Sequence, residues 1–193
     1  MSKKLPHGFK AQAERISLEV RVELGLALVD RLDALSLAAY LEIPVISLLA
    51  LRASGAADEE IQLIQGESAK FSALTVIDGT HRLIVYNHRH PPGRQANSLA
   101  HELSHTILEH SPSPVLGDGG CRHWNSQYED EADWLAGALL VPREGVLNWL
   151  RGGGSEMDGA QHFGVSRALF SWRAHHSGVL KQLESWRRMR SRG

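Results

Sequence analysis

The chain has 193 residues, of which 42% are hydrophobic and 22% charged, with a formal net charge of -1. This composition predicts one globular domain, or one domain with a small appendage, and excludes an overall attraction to nucleic acid or an anionic membrane. No apolar run approaches the roughly 20 residues of a membrane-spanning helix, and no secretory signal follows the basic start, so we expect no membrane association. Since a single cysteine excludes an intrachain disulfide, we expect a cytoplasmic protein.

The first part of the chain is predicted to be mainly helical. Apolar residues recur at helical spacing over about residues 9–24, and Gly25 is expected to end that helix. The elements that follow are short: a helix at 35–41, a strand or extended turn at 43–46, and helices at 47–51 and 58–64.

A β-hairpin is predicted next. Residues 71–77 and 82–86 are rich in β-branched and apolar residues, and Asp78-Gly79 between them favours a tight turn. Beyond the hairpin, apart from a loop rich in proline and glycine at 111–120, the chain is again predicted to be helical. These helices lie at about 95–110, 128–140, 155–163 and 166–176, followed by a basic C-terminal helix.

The helix predicted at 95–110 contains the sequence His101-Glu102-Leu103-Ser104-His105. Residues four apart lie on one face of a helix, so the two imidazoles point the same way and can bind one zinc ion. Glu102 lies beside them and can take a proton from a metal-bound water. Apolar neighbours make this helix a buried one and argue against a solvated surface helix. The pattern predicts a zinc hydrolase with one Zn2+ per chain.

A zinc ion held by two histidines needs a third protein ligand, and two glutamates of the next predicted helix compete for that role. Glu131 shares an apolar face with Trp134 and Leu135, so it points toward the core, where a carboxylate needs a cation. We therefore predict Glu131 as the third ligand. Glu129 stays open as the alternative, because it forms with Asp133 a Glu-x-x-x-Asp pattern that some zinc peptidases use. Asp133 is the candidate acceptor for the N–H of a ligand histidine.

Other residues are candidates for the remaining positions around the metal. Cys121 lies between the two metal motifs, and its neighbours Arg122 and His123 favour a thiolate. We hypothesise that Cys121 occupies the fourth zinc position and holds the protein inactive until it is displaced or oxidised; the alternative is an inert packing residue. Tyr128, His123 and Tyr86 are candidate donors to the oxyanion, with a structural role as the alternative for each.

These motifs resemble those of the ImmA/IrrE family of bacterial metallopeptidases. Residues 99–105 and 131–142 are similar to the family patterns A-H-E-L-G-H and E-A-N-x-F-A-x-x-L-L-x-P, and the resemblance extends over about residues 9–180. The chain departs from these patterns at Ser104, where the family has Gly, at Asp133, where it has Asn, and at Trp134, where it has Phe.

Together the elements and motifs predict an α+β fold that is mostly helical, with a small antiparallel sheet packed beside the zinc-binding helix. Residues 1–150 are predicted to form the metallopeptidase domain. Residues 151–193 are predicted to form a C-terminal helical extension packed on it, after a glycine-rich hinge at 152–154.

The resemblance implies a zinc endopeptidase that cleaves a partner helix-turn-helix transcriptional repressor in bacterial or phage stress and immunity regulation. It also suggests single-stranded DNA as an activator, for which Arg82, Arg89, Arg94 and Arg122 are candidate contacts. The alternative function is a zinc-containing regulatory protein that senses DNA damage or a partner without proteolysis.

Overall fold

The computed structural model describes residues 5–57, 59, 61, 71–111 and 125–190. Its elements in chain order are α1 (Phe9–Glu23), α2 (Ala34–Tyr40), β1 (Val45–Ser47), α3 (Leu48–Ala53), β2 (Ala73–Asp78), β3 (His81–Tyr86), α4 (Pro92–Ile107), α5 (Ser126–Leu140), α6 (Arg143–Arg151), α7 (Glu156–Phe163), α8 (Arg167–His176) and α9 (Val179–Arg190). The predicted α+β class, mostly helical with a small sheet, is confirmed. The helix predicted at 58–64 falls mainly outside the described residues.

The sheet has three strands in the order β1-β3-β2. β2 and β3 form the predicted antiparallel hairpin, and its turn contains Gly79 with a φ of 57°. β1 adds to the other side of β3 in parallel, with Val45 opposite Ile84. The sheet is therefore mixed, because the segment predicted as a strand or extended turn pairs with a strand that lies far along the chain.

Helix α4, which carries the histidine motif, begins and ends earlier than predicted. Pro92 stands in its first turn, where a proline costs no hydrogen bond. Its C-terminal end is set by Glu109, which adopts a left-handed φ of 53°. His110 consequently lies outside the helix, although the sequence pattern placed it inside.

Helix α5, which carries the three acidic candidates, is anchored at both ends. The Oδ1 atom of Asn125 accepts from the backbone N–H of Gln127 at the N-terminus. At the C-terminus, carbonyl groups that have no partner within the helix accept hydrogen bonds from buried side chains. Ser17 donates to the carbonyl of Ala138, and Arg21 donates to the carbonyl of Leu139. Just beyond the helix, Arg173 donates to the carbonyl of Val141.

The main hydrophobic core is formed where α5 packs against both α4 and α1, with the sheet beside α4. The same core cluster includes Leu103, Leu139, Phe163 and Leu183, and so contains residues from both sides of position 150. The division into a peptidase domain and an extension stays a prediction. Within the described ranges, the helices are too short or too polar to cross a bilayer.

Candidate metal centre

The two histidines of the motif lie one turn apart on α4 and face each other. Their Nε2 atoms are 3.1 Å apart, and their rings meet edge to face with centroids at 4.8 Å. Both side chains are about one-fifth exposed, so they line a cleft and are not sealed in the core. The spacing of four residues therefore brings the two donor atoms together as the sequence predicts.

Glu129, in the first turn of α5, completes the group. Its Oε2 lies 3.2 Å from Nε2 of His101, and its Oε1 lies 3.5 Å from Nε2 of His105. Donor atoms around a tetrahedral zinc ion are separated by about 3.3 Å, given zinc–nitrogen and zinc–oxygen distances of about 2.0 to 2.1 Å. The distances of 3.1 to 3.5 Å that join the two Nε2 atoms to each other and to the nearer Glu129 oxygens are close to this value. Among the described residues, these three form the group that could hold a metal ion.

The structure places the predicted third ligand, Glu131, in a contact with His110 and not in the candidate metal group. Glu131 is buried, as its helical phase predicts, but its Oε2 lies 3.0 Å from Nε2 of His110 and its Oε1 accepts from Gln127. Glu129, the alternative that the sequence left open, is the glutamate that lies against the histidine pair. The helical phase identified the side chain that faces the core, whereas the metal group lies beside the core, in the cleft.

The candidate partner of a ligand histidine lies in contact with the motif. Oδ1 of Asp133, one helical turn after Glu129, is 2.8 Å from Nδ1 of His101. A ligand imidazole that binds metal through Nε2 has its N–H at Nδ1, so this carboxylate accepts that hydrogen bond and orients the ring.

The charges of the group favour a cation between the histidines. Burial lowers the pKa of His101, but hydrogen bonds with Asp133 and Glu129 outweigh it and raise the pKa to about 10. Burial and the neighbouring charge of His101 lower the pKa of His105 to about 4. Burial raises the pKa of Glu129, yet the contact with His101 outweighs it and holds that pKa below its usual value. These shifts favour one positively charged imidazole, His101, beside a neutral His105, and a metal cation that binds Nε2 of His101 displaces the extra proton.

Glu102 lies in the same cleft and is held from the sheet. Its Oε2 accepts a hydrogen bond of 2.6 Å from the hydroxyl of Thr75 on β2. The cleft has a volume of about 320 Å³, and its lining includes Thr75, Glu102, both motif histidines and Glu129. A carboxylate beside three potential metal ligands in an open cleft can serve as a general base.

The remaining candidates fall in different places. Tyr128 lines the cleft and stacks on His110, with ring centroids 4.2 Å apart. Tyr86 packs against the hydrophobic core and is not among the described residues that line the cleft. Cys121 and His123 lie outside the described residues. The residue that the sequence interpretation missed is His110; its signal was a histidine five residues after His105, at the end of the motif helix.

The metal motif lies within the region that a peptidase family model matches. The model of a peptidase family, Peptidase_M78, described as the IrrE N-terminal-like domain, matches residues 52–175. Among solved structures, a Mycobacterium tuberculosis transcriptional regulator is similar at 17% identity with a TM-score of 0.49, over 86% of this chain and 46% of that chain. The chain thus spans less than half the length of that regulator. No protein with a curated function shows significant similarity to the sequence.

Proposed function

This chain belongs to the IrrE N-terminal-like peptidase family, and we propose that it is a zinc-dependent endopeptidase whose substrate is a helix-turn-helix transcriptional repressor. The observation that carries the proposal is the close approach of the donor atoms of His101, His105 and Glu129, with Glu102 in the same cleft. Two histidines and a glutamate leave one zinc position open, as a catalytic site requires.

In the proposed mechanism, the two histidines and Glu129 hold the metal, and Glu102 moves the proton. Zinc bound at this site lowers the pKa of water and polarises a carbonyl group. Glu102 accepts a proton as water attacks the scissile carbonyl, and it later donates that proton to the leaving amine. Thr75 donates to one carboxylate oxygen of Glu102 at 2.6 Å, so we assign the proton transfer to the other oxygen.

The edge of the sheet supports a peptide substrate. Within the described ranges, β2 pairs with β3 along one side only, and four of its residues line the cleft: Ala73, Leu74, Thr75 and Ile77. An extended peptide can add to such an edge through backbone hydrogen bonds. A peptide bound in this way would pass beside Glu102, which contacts β2 directly.

The choice of substrate is supported by the family resemblance. We propose single-stranded DNA as an activator on the same basis. Of the arginines considered for it, Arg82 lines the cleft and donates to Thr106, and Arg94 donates to Ser72, which also lines the cleft. Arg122 lies outside the described residues. Inhibition by Cys121 also stays a prediction.

Cleavage of a purified repressor tests the proposal. The zinc-loaded protein is incubated with a helix-turn-helix repressor from its genomic neighbourhood, with and without single-stranded DNA, and the products are identified by mass spectrometry. We expect a defined cut with the wild-type protein and none with Glu102→Gln. A wild-type protein that binds zinc and the repressor but leaves the repressor intact would overturn the peptidase and support a regulatory binding protein.

A further inference from the structure

We propose that His110 and Glu131 are positioning residues for the metal ligand His105. A buried hydrogen-bond chain that starts at Glu131 and passes through His110 fixes the tautomer and the orientation of the His105 ring. The inference rests on the zinc site of the proposed function, but it does not depend on the substrate.

The chain has three consecutive contacts. Nδ1 of His105 lies 2.9 Å from Nδ1 of His110, and Nε2 of His110 lies 3.0 Å from Oε2 of Glu131. The other carboxylate oxygen, Oε1, accepts a hydrogen bond of 2.8 Å from Nε2 of Gln127. The metal ligand on α4 is thereby joined to the first and second turns of α5.

With metal on His105, the protons of this chain have one consistent arrangement. A neutral imidazole that binds metal through Nε2 carries its proton on Nδ1, so His105 donates to Nδ1 of His110. A neutral His110 that accepts at Nδ1 carries its own proton on Nε2 and donates it to Glu131. The Glu131 carboxylate accepts from both sides. Each imidazole is thus held in one tautomer by the next group in the chain.

The backbone at the end of α4 is shaped to place His110 in this position. The N–H of His110 donates to the carbonyl of His105, and the N–H of Glu109 donates to the carbonyl of Thr106, at 3.0 Å each. These two hydrogen bonds, together with a left-handed residue just beyond the end of the helix, form a Schellman motif. Its left-handed position is usually a glycine, but here it is Glu109 with a φ of 53°. The turn reverses the chain and returns the His110 ring to His105.

The hydrogen-bond chain from Glu131 to His105 is largely shielded from water. The side chains of His110 and Glu131 are 5% and 11% exposed, and Tyr128 covers the His110 ring by stacking with an interplanar angle of 7°. Hydrogen bonds that water cannot replace are costly to break, because the groups left behind lose their partner. If His110 only linked the end of α4 to α5, its contact with Glu131 would be sufficient. The additional contact between Nδ1 of His110 and Nδ1 of His105 connects His110 and Glu131 to the metal ligand.

Two substitutions of His110 distinguish a role in orienting His105 from a role in packing. His110→Phe keeps an aromatic ring for Tyr128 but removes the acceptor for His105. His110→Asn is smaller but retains an acceptor, since its amide oxygen can take the place of the imidazole Nδ1. Zinc affinity is measured by competition with a chromophoric chelator, and circular dichroism of the metal-free forms checks the fold.

We expect His110→Phe to weaken zinc binding about tenfold to a hundredfold, the range found for partners of ligand histidines, and His110→Asn to recover most of the loss. In proton NMR spectra, the exchange-protected Nδ1–H of His105 should be present in the wild type and in His110→Asn and absent in His110→Phe. Equal affinity of His110→Phe and the wild type, or equal losses in both variants, would overturn the positioning role alone. Failure of the wild type to bind zinc would overturn the zinc site as well.

Discussion

The two histidines of the metal group are supported in different ways. His101 has a direct carboxylate partner, Asp133, whose side chain is 45% exposed. His105 has an indirect one, Glu131, which is 11% exposed and acts through the buried ring of His110. Both arrangements orient an imidazole, but solvent can replace a lost partner only on the exposed side. Burial of the partner, more than its charge, should therefore decide how strongly the loss of that partner affects metal binding.

The largest loss of activity should come from Glu102, which is a hydrogen-bond partner of neither motif histidine. Glu102→Gln removes the general base and leaves both histidines with their partners, so we expect repressor cleavage to fall by about 10²- to 10⁴-fold. Zinc content, measured by mass spectrometry of the native protein, should stay at the wild-type value. Loss of zinc in this variant would mean that Glu102 is itself a ligand and would contradict a metal group formed by His101, His105 and Glu129.

The two buried or half-buried glutamates of α5 should differ in their effect on zinc. Glu129→Gln removes an anionic ligand and should weaken zinc binding by more than about a hundredfold, beyond the range expected for a partner of a ligand. Glu131→Gln is the matched control, with the same chemical change two residues along the same helix, and should cost less. The same chelator competition measures both. A larger loss in Glu131→Gln would restore Glu131 as the ligand.

The carboxylate partners themselves give the direct comparison between the two supports. We expect Glu131→Gln to reduce zinc affinity by about tenfold to a hundredfold and Asp133→Asn to fall at or below the lower end of that range. Salt should weaken the contribution of the exposed Asp133, whereas the contribution of Glu131 should be insensitive to salt. If Asp133→Asn had the greater cost, or if salt affected both equally, burial would not be the deciding factor.

The smallest effect should come from the contact that holds Glu102. Thr75→Val removes the hydroxyl that donates to the carboxylate and keeps the β-branched shape that the strand requires. Loss of about 1 kcal/mol for one hydrogen bond corresponds to roughly a fivefold lower kcat. Thr75→Ser, which retains the hydroxyl, should recover most of the rate. An unchanged kcat in Thr75→Val would show that Glu102 needs no support from the sheet.

What the sequence predicts well is local. The histidine motif depends on the spacing within one helix, and the hairpin depends on two adjacent apolar segments with Asp78-Gly79 between them. These features follow from the periodicity of helices and strands. The parallel pairing of β1 with β3 joins segments separated by an intervening helix and further chain, and no local pattern specifies it.

The site residues show the same limit. Helical phase correctly identifies Glu131 as the buried glutamate of α5, but phase does not say where α4 places the metal group relative to the core. That depends on how the two helices pack, which places Glu129 beside the two histidines. His110 was missed because its position depends on a left-handed turn at Glu109, a residue type that gives no sign of such a turn.

The most direct test of the metal group is a crystal structure of the zinc-loaded protein, in which anomalous scattering at the zinc absorption edge locates the ion and its ligands. We expect zinc bound by Nε2 of His101, Nε2 of His105 and the carboxylate of Glu129, with Glu131 still hydrogen-bonded to His110. Zinc bound by Glu131, or a His105 ring whose Nδ1 faces away from His110, would contradict this expectation.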